Sequence, residues 1–216
     1  MCWYWNVLKK NTELKGRALS KEFRTIRLCL IVFCTVFVVC SNAHSQTNED
    51  ADLERALTLI ESCASNFKDG DYTAAEKNFL EVKKLFEKVV GNESSDYADL
   101  LFYIGEFYKI LGNYAQAEKY FIEENSIKSK VLGKEHPDYA TSLNNLGLLY
   151  HNIGDSTKAE NYYIEARNIR EKVLGKDHSD YVVSLNNLGT LYLDLDNFAQ
   201  AEKYFLEAKN IFSTIR

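Results

Sequence analysis

Residues 131–172 read VLGKEHPDYATSLNNLGLLYHNIGDSTKAENYYIEARNIREK, and residues 173–214 repeat that stretch without a gap, matching at 22 of 42 positions. VLGK, the His and Asp-Tyr after it, SLNNLG, LY, AE and the closing Asn-Ile are shared. One period earlier, residues 89–130 form a looser copy with Gly91, Asp96-Tyr97, Leu101, Gly105, Tyr108, Ala117-Glu118 and Phe121 in register. Turn glycines fall at Gly70, Gly112 and Gly154, and Asp196 takes the fourth place. A fixed period of this size is the mark of stacked repeats, in which each unit buries its apolar face against its neighbours.

Within a period the apolar residues keep a helical rhythm twice, with a turn between. Leu143, Leu146, Gly147 and Tyr150 share one helix face. Ala159, Tyr163 and Ala166 do the same after the Gly154-Asp155 turn, which predicts a helical hairpin. Gly147 and Ala159 are small because closely crossing helices leave no room for bulk, and Tyr150 and Tyr163 fill the space on either side. Between units, Gly91, Gly133 and Gly175 stand where helices should end. Ser94, His136 and His178 stand at N-cap places, with Pro137 opening the helix behind His136. Because His136 and His178 recur at the period in capping positions, they are read as caps and not as a metal pair.

Small residues at the eighth and twentieth places and aromatics at the eleventh and twenty-fourth resemble the tetratricopeptide repeat. The 42-residue period and the wording HPDYATSLNNLGLLY are similar to the repeats of kinesin light chains and of many bacterial repeat proteins. The resemblance covers roughly residues 50–216. It implies an all-α fold, a right-handed superhelix or α-solenoid of about four hairpins, at about 51–88, 89–130, 131–172 and 173–216. The first hairpin has Ser62, Cys63 and Asn66 where the third has Leu146, Gly147 and Tyr150, and is read as an atypical terminal cap.

Charge is divided along the chain. Residues 1–27 carry +5, residues 28–45 carry none, and the remainder carries −10 of a net −5. An acidic repeat region is the wrong sign for a phosphate backbone, so nucleic acid is not expected as a partner. Residues 28–40, LCLIVFCTVFVVC, form an apolar run too short for a comfortable membrane span but suited to a secretory signal. Residues 1–45 are therefore expected to direct export to the periplasm or beyond, with cleavage before Gln46, or else to stay as an N-terminal anchor. In the second case residues 28–40 are the only membrane contact. Residues 46–50 are read as a linker. Four of the five cysteines precede it, which leaves Cys63 as a small buried residue in the place of Gly147.

No catalytic constellation is present: there is no phosphate-binding loop, no HExxH and no nucleophile elbow. The chain is expected not to be an enzyme and to need no cofactor. Glu81, Glu123, Glu165 and Glu207 recur at the period and are read as a solvated helix face. What remains is a surface. In repeats of the family resembled, the first helices line a concave groove, here through Thr141, Asn144, Asn145, Leu148 and His151, then Val183, Asn186, Asn187, Thr190 and Leu193. A carboxamide both donates and accepts, so tandem asparagines suit an extended peptide backbone of any sequence. In the second unit Phe102 and Tyr103 replace them, with Asp99, Glu106 and Lys109 around, which suits a pocket for a side chain.

The Lys and Arg clamp that captures chaperone C-termini is missing, since Ile60, Ala64, Tyr103, Thr141 and Asn145 stand in its places. The expected function is a protein-binding module or scaffold holding an extended polypeptide. The alternative that the resemblance raises is the regulatory arm of a split or truncated caspase-like (CHAT-type) protease. In the last helix, Tyr204, Ala208, Ile211 and Phe212 are expected to lie uncovered and to promote self-association.

Overall fold

The computed structural model describes residues 48–214, and every regular element among them is helical. The helices run α1 (Asn48–Asp69), α2 (Tyr72–Val90), α3 (Ser95–Ile110), α4 (Tyr114–Val131), α5 (Pro137–Ile153), α6 (Ser156–Leu174), α7 (Ser179–Asp194) and α8 (Phe198–Thr214). The expected all-α solenoid of tetratricopeptide-type hairpins is the fold observed. The signal or anchor at residues 1–45 lies outside the described residues. Among those described, no helix is long and apolar enough to cross a membrane. α1 starts at Asn48, inside the stretch read as a linker.

Two compact units divide within α2, after Val82. In the first, Leu53, Ala56, Ile60 and Cys63 of α1 and Ala75, Phe79 and Val82 of α2 are buried. The Cys63 thiol donates to the Ala75 carbonyl at 3.5 Å, joining the two small-residue columns of the hairpin as the register predicts. Burial pushes that thiol up to about 12, which leaves it an unreactive packing group. Phe67 and Tyr72 meet edge to face across the turn, and Arg55 pairs with Glu81.

In the second unit three hairpins, α3–α4, α5–α6 and α7–α8, stack in chain order, with α4 against α5 and α6 against α7. The close approach inside each hairpin is set by a glycine under an aromatic ring. A Cβ on Gly147 would lie 2.6 Å from the Tyr163 ring, and Gly105 under Phe121 and Gly189 under Phe205 repeat the arrangement. Removing Tyr163 and Phe121 from water contributes about 1.5–3 kcal/mol each, provided the glycines let the rings in. A parallel tyrosine stack recurs in each hairpin: Tyr108 on Tyr120, Tyr150 on Tyr162 and Tyr192 on Tyr204, with centroids 5.5, 5.5 and 5.7 Å apart.

The caps follow the sequence. Ser94 Oγ accepts from the Tyr97 N–H at 3.1 Å, His136 Nδ1 from Asp138 at 3.1 Å and His178 Nδ1 from Asp180 at 3.2 Å. In the turn column, Gly154 has φ +88° and Asp196 adopts φ +55° in the place where the other units have glycine. Aspartate is among the few residues that tolerate this left-handed region.

Two expectations need correction. In α8, Tyr204 and Ala208 are buried, at 9% and 4% exposure, because they face α7 of their own hairpin, where Tyr204 stacks on Tyr192. The exposed apolar side chains of this helix are Phe198, Leu206 and Phe212. The periodic glutamates are also more than a solvated face. Tyr181 donates to Glu207 at 2.9 Å, and the Tyr139 hydroxyl lies 3.5 Å from Glu165. A spacing of 26 residues carries each pair across its hairpin. A second tyrosine column reaches back to the preceding hairpin, Tyr150 to Glu118 and Tyr192 to Glu160. Burial and these carboxylates push both phenols up, Tyr192 to about 12 chiefly through Glu160.

Candidate functional site: the shared face of the first helices

α5 and α7 also meet directly on one face, and the residues singled out from the sequence lie along it. Asn187 Nδ2 donates to Asn144 Oδ1 at 2.7 Å, tying the third hairpin to the fourth. His151 Nε2 lies 2.8 Å from Asp194 Oδ2 of the next hairpin and makes a second tie. These two contacts use only part of the polar capacity. Asn144 keeps both amide hydrogens, and Asn187 keeps its carbonyl and one hydrogen. The side-chain carboxamides of Asn145, half-buried, and Asn186, exposed, meet no hydrogen-bond partner among the described residues.

Thr141 sits at the edge of this face. Its hydroxyl donates to the Pro137 carbonyl at 3.1 Å and accepts from Arg170 at 3.3 Å. Thr190 is exposed and its hydroxyl donates to the Asn186 carbonyl at 2.9 Å, so its methyl is the part presented outward. Leu148 is half-buried, and Val183 and Leu193 are exposed. The surface along α5 and α7 therefore alternates carboxamides with short apolar patches.

On α3 the same places carry different chemistry. Phe102 packs edge to face on Tyr103 at 5.1 Å and leans on Phe121 at 6.0 Å. Lys109 forms an ion pair with Glu106 and lies 6.0 Å from the centroid of Phe121. The expected pocket at this hairpin is thus an aromatic wall edged by a closed ion pair.

Behind the face lie polar groups that the sequence reading passed over. Arg170 of α6 is buried, and its guanidinium donates to Ser184 Oγ at 2.8 Å, to the Asp180 carbonyl at 3.2 Å and to Thr141. One side chain thereby joins α5, α6 and α7. Lys128 of α4 holds the same place one period earlier. Its ammonium lies 3.0 Å from Glu124 on its own helix and 3.0 Å from Asp99 on α3. A signal for this was available: Glu124 falls in the column of Ala166 and Ala208, where a carboxylate is out of character.

A family model described as tetratricopeptide repeat matches residues 96–172 and again 153–214, so that together residues 96–214, more than half of the chain, are matched. No curated protein matches. Among solved structures, that of BtubC (BKLC) from P. vanneervenii is similar with 21% identity and TM-score 0.65, over 90% of this chain and 75% of that one. A putative kinesin light chain from Podosopora anserina with nearly identical repeats is similar with 17% identity and TM-score 0.65, over 88% and 89%. MamA is similar with 16% identity and TM-score 0.51, over 93% and 98%. At these identities the structures speak for the fold.

Proposed function

We propose, from the premise that this chain belongs to the tetratricopeptide repeat family, that it holds an extended polypeptide along the face shared by α3, α5 and α7. Repeats of this family form protein–protein interaction scaffolds, typically without catalysis, and that coarser role is the chain's. The observation that carries the finer reading is the pairing state of the asparagine column. Asn144 and Asn187 brace each other, while Asn145 and Asn186 stand on the same face with donors and acceptors unspent. Groups of that kind, one to a period, suit the N–H and C=O of a backbone lying across the helices, with Leu148, Thr190 and the Phe102 wall taking side chains.

The test is the affinity of a peptide selected by display against the full chain. The double variant Asn145→Ala, Asn186→Ala should bind at least tenfold more weakly, while Lys119→Ala on the exposed side of α4 should bind like the wild type. Equal affinity of all three proteins would remove the groove reading.

Two further parts of the reading rest on sequence and surface. The basic lead and the apolar run at residues 28–40 support export, and detection of the repeat domain only in the cytoplasm would end that. Phe212, 65% exposed in the place that Arg170 fills one period earlier, supports self-association through α8. Sedimentation of Phe212→Glu should then show less association than the wild type, and identical profiles would count against it.

A further inference from the structure

Glu124 is fully buried, at 0% exposure, in a column that holds Ala166 and Ala208 in the next two hairpins. Neither of its oxygens has an aligned hydrogen-bond donor. Its nearest cation, Lys128, is itself 6% exposed and is shared with Asp99, at 3.0 Å from each. One ammonium thus stands between two carboxylates, one inside the hairpin and one at its surface, where Asp99 is 40% exposed. We propose that Glu124 is a proton-operated element of the second hairpin: neutral when the hairpin is packed, it leaves Lys128 to Asp99, and on ionising it competes for Lys128 and loosens α4 from α3.

The physical grounds lie in the surroundings. An ionised carboxylate without aligned donors in a packed interior loses its hydration and gains little in return, so uptake of a proton is the less costly state. Burial pushes the carboxyl up, Lys128 pulls it down, and Asp99 and Glu106 push it up again, with the balance at about 7. Asp96 of α3 stands near Asp99 and adds to the negative surroundings, while other charged groups on neighbouring helices have partners of their own. Lys109 of α3 is paired with Glu106, and Lys83 of α2 is directed at Glu123 and the Tyr97 ring. From α5, Tyr139 and Tyr150 turn to Glu165 and Glu118, His151 turns to Asp194, and Asp138 is exposed at the helix start. Ionisation takes the Lys128–Asp99–Glu124 group from net zero to −1. Asp99 is thereby less firmly held, at the edge of the aromatic wall formed by Phe102 and Tyr103.

Because the folded carboxyl titrates above its unfolded value of 4.5, the folded state binds the extra proton. Its stabilising effect is complete below about pH 4.5 and is lost as pH rises through about 7. Two measurements on the full chain decide the matter. In a 13C NMR titration the assigned Glu124 carboxyl should have its midpoint near 7, and a midpoint near 4.5 would overturn the proposal. In urea unfolding between pH 5.5 and 8.5, the unfolding constant of the wild type should rise roughly 30-fold relative to that of Glu124→Gln. Parallel pH profiles would also overturn it. Should Glu124→Gln fail to fold, the wild-type titration decides alone.

Discussion

The second and third hairpins share one frame and differ in what fills it. In both, a glycine lies under an aromatic ring, Gly105 under Phe121 and Gly147 under Tyr163. In both, a long cationic side chain from the second helix is buried one turn from its end, Lys128 in α4 and Arg170 in α6. Lys128 is held by carboxylates, while Arg170 is held by a carbonyl and two hydroxyls. Around them the second hairpin has Asp99, Glu106 and Glu124 where the third has Thr141, Leu148 and Ala166. The pattern of small and aromatic residues is therefore enough to set how hairpins cross. The places beside it are free to vary: charges in the second hairpin become neutral residues in the third, and the aromatics Phe102 and Tyr103 become the carboxamides Asn144 and Asn145.

That contrast can be broken from several sides. The frame itself is the most sensitive. Gly147→Leu forces atoms into the Tyr163 ring and should cost about 3 kcal/mol or more in a urea unfolding experiment. A cost under ~1 kcal/mol would mean the crossing is not as tight as described. The buried cations should separate next. Lys128→Met at pH 8 leaves the buried Glu124 without its cation, while Asp99 stays hydrated at the surface, and should cost roughly 3–5 kcal/mol. Arg170→Met strands only neutral acceptors and should cost about 1–3 kcal/mol. Equal losses would erase the distinction between the hairpins. Removing a cap by His136→Ala should cost about 1 kcal/mol, read from the same unfolding curves. Smallest of all, Lys172→Ala breaks an exposed pair with Glu135 and should change stability by less than about 0.5 kcal/mol.

Much of this is legible in the sequence. The 42-residue period, the helix ends at Gly133 and Gly175 and the caps at His136 and His178 are all local chemistry, and local chemistry is written in sequence order. Asp196 is a case in point: its place in the glycine column marks a turn, and the structure gives it φ +55° there. Contacts that depend on which side chain reaches across to a neighbour were not legible in the same way. The tyrosine-to-glutamate bonds at spacings of 26 and 32 join residues that look like separate periodic features until the helices are set side by side. The expectation that Tyr204 and Ala208 lie uncovered leaves out the cover that α7 of their own hairpin supplies. Along the face where α5 and α7 meet, the asparagines are legible by register. That Asn144 and Asn187 would bond each other and leave Asn145 and Asn186 unspent depends on the stagger of α5 against α7.

The central claim is that the face of the first helices is the working surface. Its most direct test is an NMR shift map of the full chain on addition of a display-selected extended peptide. Shifts should concentrate at Phe102, Asn145, Leu148, Asn186 and Thr190. A map centred instead on Ile122, Ile164 and Leu206, the apolar residues along the second helices, would contradict it.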